Sequence, residues 1–239
     1  MRLVLLHALP FDARMWAQQM DLLPGATIAP DLYGLGSSLE QWARAVADLT
    51  DNDRLIVVGC SVGGSCALEV AALVPDRIES VVVVGTKAAH RRDPQFRDAA
   101  IDDLRTKGMA FAWIKYWAPM FASGPDSSVV ATARAIALDQ DVEAVIRGVR
   151  AFHNRRDLTE FVRTWNKPLI VINGDQDRTP SPLTAVDLAT TAPDSKLHLV
   201  RDCGHYVNLE RPALFETIVR DVLAASPRDR PPAPETRFA

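Results

Sequence analysis

The fold is decided by the stretch LIVVGCSVGG at positions 55–64. An apolar, β-branched run leads into Gly59-Cys60-Ser61-Val62-Gly63, and a helical pattern then continues to Val74. This is the G-x-S-x-G motif in strand–turn–helix context, where a serine on a sharp turn exposes its hydroxyl and flanking glycines let strand and helix approach. The helix N-terminus adds positive potential there. The stretch predicts Ser61 as a nucleophile. The alternative is a plain glycine-rich turn, because the bare motif also occurs by chance.

Strand-like and helix-like segments alternate outward from this stretch. Most of the strand-like segments are nearly continuous apolar runs, which is typical of parallel strands buried on both faces. The predicted strands are Leu3–Leu6, Thr27–Ala29, Leu55–Gly59, Ile78–Val84, Leu169–Asn173 and Lys196–Val200. The predicted helices are Trp16–Leu23, Leu39–Leu49, Gly64–Val74, Leu183–Thr191 and Pro212–Ala225. The alternation predicts an α/β sheet of about six strands, mostly parallel, with helices on both faces.

The alternation breaks between Thr86 and Asn166, where no strand pattern stands out. We expect a helical cap at 87–166, inserted between core segments 1–86 and 167–225. The segments that suggest its helices are Pro94–Lys107, Ala110–Phe121 and Ser127–Arg147. The cap aromatics Trp113, Trp117 and Phe121 either line an apolar substrate pocket or only pack the cap on the core. The proline-rich tail 226–239 is predicted to be disordered.

Two further loops follow late strands. His205 lies in Cys203-Gly204-His205, and Asp175 and Asp177 lie in Asn173-Gly174-Asp175-Gln176-Asp177. A serine hydroxyl needs a base to take its proton, and histidine suits this because its pKa lies near neutrality. Of five histidines, His205 is the one on a loop at the C-terminal end of a late strand. The order Ser, Asp, His is typical of α/β-hydrolases.

Over nearly its full length the chain resembles the α/β-hydrolase superfamily. In that family the acid ends a Gly-x-x-Asp loop, which implies Asp177 as the partner of the histidine and leaves Asp175 in reserve. His7-Ala8-Leu9-Pro10 resembles the family's His-Gly oxyanion loop, with Ala8 in place of glycine. The resemblance implies the Leu9 and Val62 amides as oxyanion donors and the absence of two leading strands. Asp12-Ala13-Arg14-Met15-Trp16 resembles 3-oxoadipate enol-lactonase-like hydrolases more locally.

Composition narrows the classes of partner. The net charge is −3 and no basic stripe stands out, so we expect no nucleic-acid partner. Three cysteines without CxxC spacing favour neither a disulfide framework nor a zinc site and fit reduced thiols in the cytoplasm. No signal peptide and no apolar run near the ~18 residues of a membrane span are present, so no membrane partner is expected. The oligomeric state is left open.

Together these features predict two-step acyl transfer on a small or medium ester or lactone, with no metal or organic cofactor. The same triad serves carbon–carbon bond hydrolases, acyltransferases and cofactor-free perhydrolases, and fold and triad do not separate these reactions. Outside enzymes, the alternative is a ligand-binding receptor of the same fold that has lost turnover. The filled triad and elbow positions argue against that alternative.

Overall fold

The structure, a computed structural model, describes residues 1–124 and 127–226. Six strands form one sheet in the order β2-β1-β3-β4-β5-β6, and every pair of neighbours is parallel. The strands are β1 (Arg2–Leu6), β2 (Thr27–Ile28), β3 (Leu55–Cys60), β4 (Ile78–Val84), β5 (Leu169–Gly174) and β6 (Ser195–Val200). The predicted six-stranded α/β sheet is confirmed.

The register brings the carboxyl ends of the central strands to one edge. Cys60 at the end of β3 lies opposite Val84 at the end of β4, and Val84 lies opposite Ile172 in β5. Every residue of β3 and β5 is buried, because helices cover both faces of the sheet. Residues that follow these strands therefore meet at one edge, which is where ligands bind in open α/β sheets.

The α-helices connect and cover the strands. They are α1 (Leu39–Leu49), α2 (Val62–Leu73), α3 (Pro94–Ala112), α4 (Ser127–Leu138), α5 (Val142–Asn154), α6 (Thr159–Thr164), α7 (Pro182–Thr191), α8 (Val207–Glu210) and α9 (Pro212–Ala225). Shorter 3-10 turns cover Ala13–Leu22, Leu32–Gly34, Pro75–Arg77 and Ala118–Met120. Within the described residues, no helix is long and apolar enough to cross a bilayer.

The segment between β4 and β5 differs in detail from the prediction. The helix expected over Ser127–Arg147 is two helices, because Asp141 interrupts it and caps α5 by accepting the Ala144 amide at 2.8 Å. The helix expected over Ala110–Phe121 is the end of α3, a π turn at Trp113–Trp117 and a 3-10 turn. The segment predicted as a disordered tail, 226–239, lies outside the described residues from 227 onward.

The end of this helical segment is joined to the loop that carries His205. The His205 amide donates to the Met120 carbonyl at 2.9 Å. The Glu210 carboxylate accepts the amides of Ala122 at 2.9 Å, Gly204 at 3.1 Å and Tyr206 at 3.3 Å. The hydrogen bonds of His205 with Met120 and of Ala122 with Glu210 therefore join the helical segment to the His205 loop.

Candidate active site

Ser61 sits on a strained turn between β3 and α2. Its φ is 54° and its ψ is −115°, a conformation that costs a non-glycine residue about 1–3 kcal/mol. The Ser61 amide donates to the Val84 carbonyl at 2.8 Å, which fixes the turn to β4. A Cβ on Gly59 would lie 2.1 Å from the Gly63 carbonyl oxygen, and one on Gly63 would lie 2.1 Å from that of Leu6. The two motif glycines are therefore required by backbone contact on both sides of the serine.

Asp177 and His205 form a buried pair. Their side chains are each about 1% exposed, and Nδ1 of His205 lies 2.8 Å from Oδ2 of Asp177. A carboxylate can only accept, so Nδ1 carries the proton and donates. The other ring nitrogen, Nε2, is buried and has no hydrogen-bond partner in the described part of the chain. Neutral His205 therefore presents an unprotonated Nε2 that can accept a proton.

Asp175, the reserve candidate, lies elsewhere in the same loop. Its side chain is exposed, and Oδ1 accepts the Cys203 amide at 3.3 Å. Asp177 instead uses Oδ1 to accept the Thr179 amide at 2.8 Å and turns Oδ2 to the histidine. The structure thus brings Asp177, and not Asp175, to His205.

Gly85, directly after β4, makes room for the imidazole of His205. Its φ is +54°, and a Cβ there would lie 2.7 Å from both Cε1 and Nδ1 of the ring. Gly85 and Glu210 are the two supporting residues that the sequence analysis missed. Burial raises the pKa of Glu210, while its bonds to three backbone amides act in the opposite direction. A glycine at the end of an apolar strand was the cue for Gly85. No spacing pattern in the sequence linked Glu210 to the amides that it binds.

The amides of Val62 and Leu9, the predicted oxyanion donors, make no hydrogen bond within the described ranges. Val62 is the first residue of α2, so its N–H has no intrahelical acceptor. The Leu9 amide donates to no group in residues 1–124 and 127–226, whereas its neighbours are used: Ala8 donates to Sδ of Met15 at 3.1 Å and Phe11 donates to the Ala8 carbonyl at 2.8 Å. Both amides are available to stabilise negative charge on a bound carbonyl oxygen.

An apolar cavity of about 140 Å³ adjoins Ser61. Leu9, Leu104, Trp117 and Met120 are among the side chains that line it. Of the three predicted aromatics, Trp117 lies on this cavity, whereas Trp113 and Phe121 do not. Their rings pack elsewhere: the Trp113 centroid lies 6.3 Å from that of Phe11, and the Phe121 centroid lies 4.9 Å from that of Tyr206.

A second cavity, of about 310 Å³, has charged side chains in its lining and shares Ser61, Phe152 and His153 with the first. Lys87 and Arg155 also line it. Burial, and then the positive charge of Arg155, lower the pKa of His153 to about 4. His153 is therefore neutral near pH 7.

A larger cavity of about 620 Å³ opens at the other end of the sheet. It is lined by residues such as Ile78, Ile170 and Ser226 and contains neither Ser61 nor His205. Its volume therefore says nothing about the candidate reaction. Within the described residues, no three His, Cys, Asp or Glu side chains converge in a way that would hold a metal ion.

The cysteine beside the nucleophile is inert. Cys60 is buried, and burial raises the pKa of its thiol well above the ordinary range. Burial also raises the pKa of Cys203, to about 12. These thiols stay protonated at neutral pH, and since the thiolate is the reactive form, neither competes with Ser61.

The chain is similar to known hydrolases over nearly its whole length. The pimeloyl-(acyl-carrier protein) methyl ester esterase of Aromatoleum aromaticum is 25% identical, over 92% of this chain and 97% of that protein. The 2-hydroxy-6-oxo-2,4-heptadienoate hydrolase of Pseudomonas putida is 24% identical, over 93% of this chain and 88% of that protein. The enol-lactonase of Burkholderia xenovorans LB400 superposes with a TM-score of 0.81 at 26% identity, covering 93% of this chain and 91% of its own.

The family match covers almost the whole described core. The model of the Alpha/beta hydrolase family matches residues 3–218, which include the serine turn, the aspartate loop and the histidine loop. The resemblance inferred from the motifs is confirmed, and the chain belongs to the alpha/beta hydrolase family.

Proposed function

We propose that this protein is a serine hydrolase that cleaves a small or medium carboxylic ester or lactone. Ser61 is the nucleophile, His205 the general base and Asp177 the group that orients the histidine. One observation carries the proposal: the 2.8 Å pair of Asp177 and His205 is buried and leaves Nε2 without a partner among the described residues, at the sheet edge where Ser61 is held in a strained turn.

The reaction has two steps. His205 Nε2 takes the Ser61 proton as Oγ attacks the substrate carbonyl, and Asp177 stabilises the imidazolium that forms. The Val62 and Leu9 amides hold the developing oxyanion. The imidazolium then protonates the departing alkoxide, which leaves an acyl group on Ser61. Water attacks this ester with His205 again as base, and the acid and free serine result.

Residues 87–166 act in this proposal as a cap over the reactive edge. The cap contributes Leu104 and Trp117 to the apolar cavity beside Ser61. A volume of about 140 Å³ favours a short or medium acyl or alcohol group over a long chain. The esterase and the enol-lactonase among the similar proteins support this substrate class. The unpaired, buried cysteines fit a reducing compartment, so we propose the cytoplasm as the site of action.

Carbon–carbon bond hydrolysis is the second candidate. It is supported by similarity to the 2-hydroxy-6-oxo-2,4-heptadienoate hydrolase, at 24% identity. The two reactions differ in the leaving group, carbon in one and oxygen in the other, so the choice of substrate separates them directly.

The test is hydrolysis of p-nitrophenyl acetate, butyrate and octanoate by the wild type and by Ser61→Ala. Loss of a triad member costs about 10⁴–10⁶ in turnover, so the variant should fall to background. Ser80→Ala is the control, because Ser80 is buried in β4, away from Ser61, and its hydroxyl donates to the Pro168 carbonyl at 3.2 Å. Equal rates for the wild type and Ser61→Ala would contradict the proposal. Turnover of a ring-cleavage dienoate in place of all three esters would favour the second candidate.

A further inference from the structure

Arg155 is a buried cation on a cavity that reaches Ser61, and no acidic side chain in the described residues pairs with it. Arg155 is 4% exposed, and its Nη1 donates to the Phe152 carbonyl at 2.6 Å. The guanidinium carbon lies 3.9 Å from the centre of the Phe152 ring. Nε is buried and has no hydrogen-bond partner among the described residues. The arginine is therefore held in place by neutral groups, with donor capacity left unused.

The neighbouring arginine shows what a structural role looks like in the same segment. Arg156 donates to both carboxylate oxygens of Glu69, at distances of 2.6 to 3.0 Å, and lines neither cavity beside Ser61. Arg155 forms no such ion pair in residues 1–124 and 127–226. Burial lowers the pKa of Arg155 to about 10, so the guanidinium remains charged at neutral pH.

The cavity around Arg155 is cationic. Among the described residues that line it, the ordinarily charged ones are three cations (Lys87, Arg91 and Arg155) and one carboxylate (Asp93). Asp93 is exposed and caps α3 by accepting the Phe96 amide at 3.0 Å. Lys87 is half-buried, and no hydrogen bond or ion pair engages it in the described part of the chain. The cavity thus has an excess of positive charge that protein groups do not balance.

The other titratable groups near Arg155 do not reverse this excess. His90 and His153 line the cavity, and burial lowers the pKa of both, so they are neutral near pH 7. Asp157 lies close enough to influence Arg155, but its carboxylate accepts the amides of His90 at 2.9 Å and Thr159 at 2.8 Å. An unpaired buried charge is costly, and an anion supplied by a ligand would remove that cost.

We propose that Arg155, assisted by Lys87, binds a carboxylate group of the substrate. The substrate is then an ester or lactone that carries a carboxylate in the cavity lined by Arg155 and an apolar part in the cavity lined by Trp117. The reacting carbonyl lies at Ser61, which lines both. A guanidinium matches a carboxylate through two parallel hydrogen bonds. This inference rests on the proposed hydrolase function and specifies its substrate class.

The test compares charged and uncharged esters of similar size. p-Nitrophenyl hemiglutarate against p-nitrophenyl valerate places the charge on the acyl side, and 4-(butanoyloxy)benzoate against 4-(butanoyloxy)benzamide places it on the alcohol side. The wild type should prefer the charged member of at least one pair. Arg155→Gln should reduce that preference about 10- to 100-fold, mainly through KM, because a charge-assisted hydrogen bond in a buried site is lost.

Two further variants keep the result interpretable. Lys87→Gln changes a half-buried group with no partner in the described residues, so it should fold and reduce the preference several-fold. Arg156→Gln makes the same chemical change as Arg155→Gln one residue away, and it should leave the preference unchanged. No charge preference in either pair, or a preference that survives in both Arg155→Gln and Lys87→Gln, would overturn the proposal.

Binding separates this proposal from the hydrolase function itself. Calorimetry of monomethyl glutarate with Ser61→Ala needs no turnover, and Ser61→Ala/Arg155→Gln should bind it at least about tenfold more weakly. If esters are not hydrolysed but this binding difference appears, the carboxylate site stands and the proposed hydrolysis fails. If esters are hydrolysed without any charge preference and the binding difference is absent, the proposed hydrolysis stands and the carboxylate site fails.

Discussion

Gly85→Ala adds one methyl group against the imidazole of His205 and should impair catalysis while the fold survives. The new Cβ would lie 2.7 Å from Cε1 and Nδ1, so the ring must retreat by at least about 0.7 Å to reach the 3.4 Å of an ordinary contact. The ring is about 1% exposed and bonded to Asp177 at 2.8 Å, so it cannot retreat without lengthening that bond. A misplacement near 1 Å costs about 10²-fold in rate, and we expect that loss in kcat.

The matched control is Gly25→Ala. Gly25 also has a positive φ, +73°, but nothing lies within 4 Å of its Cβ position. Each variant should lose about 1–2 kcal/mol in the free energy of unfolding from backbone strain, and Gly85→Ala alone should lose activity. Urea unfolding and p-nitrophenyl butyrate kinetics measure the two effects. A kcat for Gly85→Ala within threefold of wild type would refute the reasoning that Gly85 positions the histidine.

Three other perturbations follow from the same site. Asp177→Asn should reduce kcat about 10⁴-fold, because the amide no longer holds His205 in the tautomer with the proton on Nδ1. For exposed Asp175→Asn, kcat should stay within threefold of wild type, and steady-state kinetics measures both values. The pKa of His153 is lowered from 6.5 to about 4 in the folded protein, so the unfolded chain binds the proton more tightly. The free energy of unfolding should therefore fall, by at most about 3 kcal/mol, as the pH drops from 6.5 to 4. His153→Gln should flatten that fall in urea melts between pH 7 and 4.5, and an unchanged slope would count against it. Trp117→Leu enlarges the apolar cavity and should shift ester preference toward octanoate about tenfold; an unaltered chain-length profile would place the acyl group elsewhere.

The sequence predicted the parts of the site that short motifs encode. Ser61 follows from a five-residue pattern in one strand–turn–helix unit. The contact that demands Gly59 lies within that unit, whereas the one that demands Gly63 is with Leu6 on β1. Asp177 and His205 each follow a strand, so their meeting at one edge of a parallel sheet was predictable from chain order. Their distance, and the lack of a partner for Nε2 in the part of the chain that the structure describes, were not predictable from that order.

The sequence did not predict the features that depend on distant contacts or on helix geometry. Gly85 acts on His205 across 120 positions in the chain, with no local pattern that links them. Trp113 and Trp117 lie four residues apart in one π turn, yet Trp117 lines the cavity while Trp113 packs on Phe11, which is distant in the chain. The helix break before Val142 depends on Asp141 capping α5 in a stretch that otherwise favours one continuous helix.

The central claim is that Ser61 is the nucleophile, and covalent labelling tests it most directly. The protein would be incubated with a fluorophosphonate at pH 7.5, weighed intact and mapped by peptide mass spectrometry, with His205→Ala in parallel. We expect one adduct per chain, on Ser61, and strongly slowed labelling in His205→Ala, since the hydroxyl then lacks its base. No adduct, an adduct on another residue, or equally fast labelling of His205→Ala would contradict it.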